Sequence, residues 1–328
     1  MVRRKALALA TAGALLGVPL TAALAQDAGQ LQETTVEAAR QVTRDTNPVR
    51  LFSTPTIAVH PDDPLTAVIA AGDARNGGCG LHVTRDGGLS WTQTSESLMP
   101  DQLPFCIQRN FGPYADADFA SDGTLYVALS GSSVETGHPN GPITALLART
   151  TDLGETHETF TVAEPGPFTY TPPDGPPQQG FEQHRYSSLA VDPTNPQKVY
   201  IGWRESIGGI TAPFGTVPVR SMIAVSNDGG ETWSAPIDVQ EEFSPVPHDA
   251  EPVFGSDVPS LVVGPGGTAY AFTKERPPRA PEGQPRPASR LFMFKSTDGG
   301  ETWTTTIINE GVPYITNPSA AVDPSNGT

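Results

Sequence analysis

Charged side chains are scarce in this chain of 328 residues, and no long amphipathic helical pattern appears in it. Asp, Glu, Lys and Arg make up 17% of the sequence, whereas glycine and proline occur 33 and 34 times. This composition is typical of many short strands joined by tight turns. Acidic residues outnumber basic ones by 36 to 20, for a net charge of −16, so nucleic acid and anionic membranes are disfavoured as partners.

Positive charge is concentrated at the N-terminus, where residues 1–25 read as a secretory signal. Arg3, Arg4 and Lys5 precede an apolar stretch that ends in Ala23-Leu24-Ala25. The apolar stretch is too short to favour a retained membrane span, and no cysteine follows the cleavage site to carry a lipid. We expect a secreted protein, extracellular or associated with the cell wall, with no membrane contact after cleavage and a net charge three units more negative.

Only two cysteines occur, Cys79 and Cys106. In an exported chain such a pair favours a disulfide, which here would close the first repeat, over two free thiols.

Other signatures of chemistry are missing. There is no phosphate-binding glycine loop and no Gly-x-Ser-x-Gly elbow. Asp116, Asp118 and Asp122 superficially suggest a calcium loop, but their spacing fits an alternating strand better. We expect no metal and no cofactor, because no metal-ligand spacing is found among the six histidines, which are His60, His82, His138, His157, His184 and His248.

One eight-residue pattern recurs, Ser/Thr-x-Asp-x-Gly-x-x-Trp. Copies begin at Thr84, Ser226 and Ser296, and a fourth, which begins at Thr150, has His157 in place of the tryptophan. The spacing of about 70 residues indicates repeated supersecondary units. Aspartate can accept hydrogen bonds within its own turn, and glycine supplies a positive φ. Each copy follows an apolar run and precedes a Thr/Ser-rich one, which predicts strand, turn, strand.

Two further apolar runs joined by a short turn precede each copy, so each unit contains four antiparallel strands. The predicted fold is an all-β propeller. After the signal peptide we expect a polar leader (26–49) and an incomplete propeller domain (50–328). Its blades span approximately 50–110, 111–166, 184–242 and 249–312, and a next blade starts within 313–328.

The repeated pattern resembles the Asp box, or BNR repeat, of sialidase-superfamily propellers. The resemblance implies a structural role, away from the active site, for Asp86, Trp91, Asp152, Asp228, Trp233, Asp298 and Trp303. The fifth unit stops inside its first turn, and four blades of this size would leave an open edge with unpaired backbone groups. We therefore expect an N-terminal fragment of a longer protein with six or seven blades.

The turn chemistry predicts which face of the propeller is functional. The first turn of each blade and its Asp box would share one face, and the long loops, among them Glu164 to His184, would share the other. Charged residues cluster where strands emerge on that second face, which predicts a polar pocket there.

Sialidases are also similar in a first-blade acidic-x-Arg element, which Asp73-Ala74-Arg75 resembles. Ser53 stands where their opening arginine is expected, and no general acid follows Arg75. We select as substrate-binding candidates Arg75, Arg185, Arg204, Glu275 and Arg276, and as catalytic carboxylates Asp73, Glu205 and Glu251. An activated tyrosine would be Tyr170 or Tyr186, with Glu182, Glu205 or Glu251 as its partner.

Two functions remain open. The first is recognition of carbohydrate on the long-loop face with hydrolysis as an exo-glycosidase. The second is a non-catalytic propeller that binds an extracellular protein or a cell-wall glycan.

Overall fold

The computed structural model describes residues 39–43, 52–73, 77–106, 115–133, 141–172, 174–210, 219–239, 258–274, 289–312 and 318–323. Within these ranges the chain forms seventeen strands in four antiparallel sheets. None of the described helical residues belongs to a segment long and apolar enough to cross a membrane.

Each sheet is built from consecutive strands. The first contains β1 (Phe52–Val59), β2 (Ala67–Asp73), β3 (Cys79–Thr84) and β4 (Thr92–Ser95). The second contains β5 (Ala115–Phe119), β6 (Leu125–Gly131), β7 (Thr144–Thr150) and β8 (Glu158–Ala163). The third contains β9 (Pro167–Tyr170), β10 (Gln178–Asp192), β11 (Asn195–Gly208), β12 (Arg220–Ser226) and β13 (Ile237–Asp238). The fourth contains β14 (Ser260–Val263), β15 (Ala269–Lys274), β16 (Ser289–Ser296) and β17 (Thr304–Val312).

The four sheets stack as blades with a hydrophobic core between each neighbouring pair. The inner strands of successive blades contact one another, β1 with β5, β5 with β10, and β10 with β14. The third blade illustrates the strand periodicity. Ile201 and Trp203 pack toward the second blade, whereas Tyr200, which precedes Ile201 on β11, packs toward the fourth. The all-β blade architecture predicted from the repeats is confirmed.

Side chains of the inner strands tie neighbouring blades together. Thr56 donates its hydroxyl hydrogen to the carbonyl oxygen of Ala115 at 3.1 Å. Asp116 and Asp118 each accept a backbone N–H of β10, from Leu189 and Val191, both at 2.9 Å. The two aspartates therefore alternate along a strand, as predicted, and join two blades. Burial raises the pKa of each carboxyl from 3.8 to about 6.

All four Asp boxes close in the same way, as the third blade shows. Ser226 donates its hydroxyl hydrogen to Asp228 Oδ1 at 2.8 Å and accepts the N–H of Gly230 at 2.8 Å. Thr232 donates its backbone N–H to Oδ1 and its hydroxyl to Oδ2. The hydroxyl and N–H of Thr232 lower the pKa of Asp228 to about 2. The degenerate copy makes the same bonds through Thr150, Asp152 and Thr156.

In three Asp boxes the glycine at the fifth position packs against the preceding blade. A Cβ added at Gly154 would lie 2.6 Å from Leu81, and one at Gly300 would lie 2.7 Å from Val225. Gly230 is similarly close to Leu147. The boxes thus close a turn and also seat one blade against the next.

Two predictions from the sequence can be compared directly with the strands. Cys79 and Cys106 form a disulfide, which confirms their predicted pairing. The segment from Glu164 to His184, expected to be a long loop, instead contains β9 and the first half of β10. Residues 318–323 of the expected fifth unit form no strand, and its other residues lie outside the described ranges. Of the predicted leader (26–49), only residues 39–43 are described, and they form neither a strand nor a helix.

We predict that Asp116 and Asp118 make native stability fall as the pH rises from about 4 to about 6. Their pKa is higher in the folded chain than in the unfolded one, so the folded chain binds protons more tightly across that interval. Each shift is worth a few kcal/mol, at about 1.4 kcal/mol per pH unit. The double substitution Asp116→Asn and Asp118→Asn keeps two side-chain oxygens as acceptors but cannot ionise.

Denaturant unfolding at several pH values should therefore show a flatter profile for the double variant than for the wild type. Asp122→Asn, on an exposed turn, is the control and should keep the wild-type profile. An unchanged slope in the double variant would contradict the prediction.

We also predict that Gly300→Ala destabilises the protein more than Gly88→Ala. Both glycines have a positive φ, +94° and +91°, so alanine costs about 1 kcal/mol of backbone strain at either site. Only at Gly300 does the new methyl also collide with Val225, for a further cost of about 1–3 kcal/mol. At Gly88 the nearest atom is 3.9 Å away. Equal losses in the free energy of unfolding for Gly300→Ala and Gly88→Ala would show that Gly300 is not packed tightly against the preceding blade.

Candidate functional site

The two longest of the described strands, β10 and β11, carry a group of buried and partly buried charges. β10 and β11 have 15 and 14 residues and pair from Asp192 and Asn195 at one end to Phe181 and Gly208 at the other. The Asp box follows Ser226, which pairs with Val199 near the first of these ends. The second end, which carries the charged residues, therefore lies at the opposite end of these strands from the Asp box.

A β-bulge divides the two long strands. Arg185 pairs with Arg204 and Ser188 with Gly202, so Tyr186 and Ser187 together oppose the single residue Trp203. Tyr186 has a φ of 57°, a left-handed conformation that costs a non-glycine residue about 1 kcal/mol or more. Because of the bulge, Arg185 and Ser188 lie on the same face of the sheet although they are three residues apart. The bulge therefore sets the face on which each β10 side chain before Tyr186 lies.

One face of the extended strands carries two glutamates and a histidine. Glu182 and His184 alternate along β10, and Glu205 is paired directly with His184. Nε2 of His184 lies 3.4 Å from Oε2 of Glu205 and 3.8 Å from Oε2 of Glu182. The side chains of His184 and Glu205 are only 3% and 6% exposed, whereas that of Glu182 is 25% exposed. The group is therefore largely buried but open at Glu182.

Neighbouring groups hold these three side chains in place. Glu182 Oε2 accepts the N–H of Gly166 at 2.8 Å, and Nδ1 of His184 lies 3.1 Å from the carbonyl oxygen of Ala163. Arg220, paired with Glu205 across β11 and β12, donates to Glu205 Oε1 at 3.0 Å. Trp203 packs against the imidazole with ring centroids 5.4 Å apart.

The other face carries two arginines at directly opposed positions. Arg185 and Arg204 pair across β10 and β11, a placement in which like charges destabilise a sheet. Arg185 donates from Nη2 to Gln183 Oε1, and its buried Nε has no hydrogen-bond partner among the described residues. Burial, and then the charge of Arg204, lower the pKa of Arg185. The ring of Tyr186 lies 6.0 Å from the guanidinium carbon of Arg204.

The predicted site residues fall into three groups. Arg185, Arg204 and Glu205 lie together at one end of the third blade. Asp73 ends β2 in the first blade, where it is buried and its backbone closes a turn with Gly77 and Gly78. The remaining candidates lie outside the described residues, namely Arg75, Glu251, Glu275 and Arg276.

Tyr170 and Tyr186, the two candidate tyrosines, differ in their surroundings. Tyr170 lies in β9 and pairs with Gln178, whereas Tyr186 sits in the bulge beside both arginines.

Sequence reasoning missed His184 as a partner of the glutamates, and it missed Arg220. His184 follows from strand periodicity once β10 is extended back to Gln178, because Glu182 and His184 then share a face. Reading that segment as a loop hid the alternation. Arg220 becomes a partner only through the β11–β12 register, for which the sequence holds no local signal.

Burial distinguishes two ion pairs of similar length, and we predict that it also distinguishes their contributions to stability. Glu205 contacts Arg220 at 3.0 Å and is 6% exposed, whereas Glu158 contacts Arg149 at 2.7 Å and is 68% exposed. Glu205→Gln should lower the free energy of unfolding by about 1–3 kcal/mol, since it weakens a buried charge-assisted bond. Glu158→Gln should cost less than about 1 kcal/mol. Denaturant unfolding that ranks the two losses in the opposite order would contradict this.

Residues 224–235 match the model of the BNR/Asp-box repeat family. They comprise the end of β12 and most of the connection to β13. No curated protein matches the chain. Solved structures that resemble it share little sequence. One is the α-L-arabinofuranosidase of Fusarium graminearum with arabinobiose, at 12% identity and a TM-score of 0.46, covering 78% of this chain and 66% of that one.

Two others are the Penicillium chrysogenum α-L-arabinanase with arabinobiose and a levansucrase variant of B. megaterium. The arabinanase has 16% identity and a TM-score of 0.42, and the match covers 79% of this chain and 72% of the arabinanase. The levansucrase has 10% identity and a TM-score of 0.43, and the match covers 79% of this chain and 70% of the levansucrase. The chain spans 66% of the length of the Fusarium enzyme. These low scores add nothing to the fold assignment, which rests on sheet topology and the four boxes. The chain carries Asp-box repeats at the turns of β-blades, as the sequence predicts.

Proposed function

We propose that the third blade binds an acidic carbohydrate, with the carboxylate of the sugar held by Arg185 and Arg204. The observation that carries this proposal is the direct pairing of two arginines at the end of the blade opposite the Asp box. A sheet gains nothing from like charges at opposed positions. An anion between them would remove the repulsion and satisfy the buried Nε of Arg185.

A carboxylate suits two guanidinium groups better than it suits a single lysine. Each guanidinium offers a planar pair of N–H donors that matches the two oxygens of a carboxylate. Arg185 is already oriented by Gln183, and Gln183 itself donates to the carbonyl oxygen of Gly141 at 2.5 Å. The donors are therefore held in place before a ligand arrives, which reduces the entropy lost on binding.

A second function, hydrolysis of the glycosidic bond as an exo-glycosidase, is favoured by the opposite face of the same strands. Ligand atoms of Glu182, His184 and Glu205 lie within 4.8 Å of one another. Retaining glycosidases hold their two carboxyl groups about 5–5.5 Å apart. Glu182, which is the more exposed, would protonate the leaving oxygen, and Glu205 would act as the second carboxylate. Asp73 remains the candidate from the first blade.

We further propose that the protein is exported. The basic and then apolar character of residues 1–25 favours a secretory signal. The Cys79–Cys106 disulfide supports an oxidising compartment. Its partners would then be glycans or glycoconjugates outside the cell, or an extracellular protein.

Binding is tested by titrating oligosaccharides that carry a carboxylate against their neutral counterparts, by calorimetry and on a glycan array. Wild-type protein should prefer the acidic ligands. Arg185→Gln and Arg204→Gln should each weaken binding by about ten- to a hundredfold, the loss expected for one charged hydrogen-bonding group. Arg149→Gln, which alters an arginine at the Asp-box end, is the control and should leave affinity unchanged. Equal affinity for neutral ligands would contradict the proposal.

Hydrolysis is tested separately with a panel of aryl glycosides. Turnover by the wild type that is lost in Glu205→Gln, Glu182→Gln or Asp73→Asn would support the enzymatic function, provided that circular dichroism shows each variant folded. Absence of turnover across the panel, with glycan binding retained, would identify a non-catalytic binding protein.

A further inference from the structure

We infer that Glu182, His184 and Glu205 form a binding site for a divalent transition-metal ion of the Zn²⁺ class. The three side chains offer an imidazole nitrogen and two carboxylate oxygens, and these atoms lie within 4.8 Å of one another. Strand geometry produces the arrangement. Glu182 and His184 are two residues apart on β10 and so share a face, and Glu205 is directly opposite His184 on β11.

The hydrogen bond on the far side of the imidazole indicates a ligand. Nδ1 of His184 lies 3.1 Å from the carbonyl oxygen of Ala163, and a carbonyl oxygen can only accept. The hydrogen of the neutral ring therefore sits on Nδ1, which leaves a lone pair on Nε2. That lone pair faces the carboxylates of Glu205 and Glu182, which are also acceptors. Three converging acceptors need a cation between them.

A histidine whose second nitrogen donates to a backbone carbonyl is the arrangement found around metal-ligating histidines, because it fixes the ring and its tautomer. The side chain of His184 is 3% exposed, and the ring of Trp203 packs against it. The imidazole of His184 therefore cannot rotate to a position in which Nε2 contacts water. The orientation is thus set by the fold rather than by the metal.

Both distances from the imidazole nitrogen to the carboxylates suit a small ion. Two ligands that each sit about 2.1 Å from a tetrahedral metal are about 3.4 Å from one another. Nε2 lies 3.4 Å from the carboxylate of Glu205 and 3.8 Å from that of Glu182. Three protein ligands leave one position for water, on the side where Glu182 is partly exposed. Imidazole with carboxylates suits Zn²⁺ and its neighbours better than Ca²⁺, which takes oxygen ligands alone.

The local charge also favours a dication. On the face of the strands that carries this group, the carboxylates of Glu182 and Glu205 have one neighbouring guanidinium, that of Arg220, which contacts Glu205 and lies 3.9 Å from Asp238. Arg185 and Arg204 lie on the opposite face, so carboxylates outnumber guanidinium groups on this one. Arg220 and Gly166 bind Glu205 and Glu182 from outside, so the carboxylates stay aimed at Nε2.

The rival occupant is a proton. A hydrogen on Nε2 would make His184 an imidazolium ion paired with both glutamates, and no metal would then bind. The arginine pair lies on the opposite face of the same strands, so metal binding and carboxylate binding are measured independently. A bound metal would occupy the two carboxylates that the proposed hydrolysis needs, so the metal site and that hydrolysis exclude one another. Neither binding measurement depends on turnover.

The test is titration of chelator-treated, full-length protein with Zn²⁺ by calorimetry and with Co²⁺ by visible absorption. We expect one ion per chain and the absorption bands of a low-symmetry Co²⁺ complex. Binding of paramagnetic Ni²⁺ should also quench part of the tryptophan fluorescence, because Trp203 lies against His184.

Two variants keep the local hydrogen bonds while removing a ligand. Glu182→Gln retains an oxygen for the N–H of Gly166, and His184→Asn retains an N–H for the carbonyl of Ala163. Each should weaken Zn²⁺ binding more than about tenfold, with little change in the circular dichroism spectrum. Glu158→Gln, an exposed acidic residue far from the group, is the matched control and should bind as the wild type does.

Two outcomes would overturn the inference. Absence of a Zn²⁺ heat signal and of a Co²⁺ spectrum in wild-type protein would identify the group as a protonated ion-pair cluster. Binding that is unchanged in both ligand variants would place the ion elsewhere on the acidic surface.

Discussion

The carboxylate of the Asp box is the constraint from which the rest of the structure follows. In each box it accepts a hydroxyl hydrogen and a backbone N–H at one oxygen and a second hydroxyl at the other, as Asp228 does from Ser226 and Thr232. These bonds replace water around a tight turn and fix its fourth and fifth residues at positive φ, which are two glycines in three boxes and Leu153 with Gly154 in the degenerate one. The glycine at the fifth position can then meet the preceding blade at a distance no side chain would permit. The conformation of the Asp-box turn therefore also determines how closely neighbouring blades pack.

Closing one end of every blade in the same way leaves the other end free to vary. In the third blade the free end is extended by the long pairing of β10 with β11, and the bulge at Tyr186 separates this extension from the packed part. The bulge holds a tyrosine in a left-handed conformation, for which glycine would be the low-cost choice. Strain of this kind persists where the surroundings demand it, and here the side chain lies beside two arginines.

The sequence predicts the fold well because its signals are local. The Asp-box pattern identifies four turns, the apolar runs identify the strands around them, and the two cysteines identify their own pairing. It predicts the candidate site less completely, because the site depends on register. Arg204 and Glu205 are found by their place after a strand, but Arg220 is found only through its pairing with Glu205. The role of His184 could not be predicted, because residues 164–184 lack a strong apolar alternation. Its position becomes clear only from the pairing of β10 with β9 and β11.

The bulge also explains how acidic and basic groups coexist within a few residues. Beyond it, Glu182 and His184 alternate with Gln183 and Arg185, so carboxylates and imidazole take one face of the strands and the guanidinium groups take the other. On β11 the consecutive residues Arg204 and Glu205 divide in the same way. If β10 and β11 paired regularly here, with Ser187 opposite Trp203 and Tyr186 opposite Arg204, the rest of β10 would be shifted by one position and its two sets of side chains would exchange faces. Arg185 would then pair with Glu205, and His184 would pair with Ser206. Neither a cluster of three acceptors nor a pair of arginines would remain, so a single inserted residue determines both chemical surfaces of this blade.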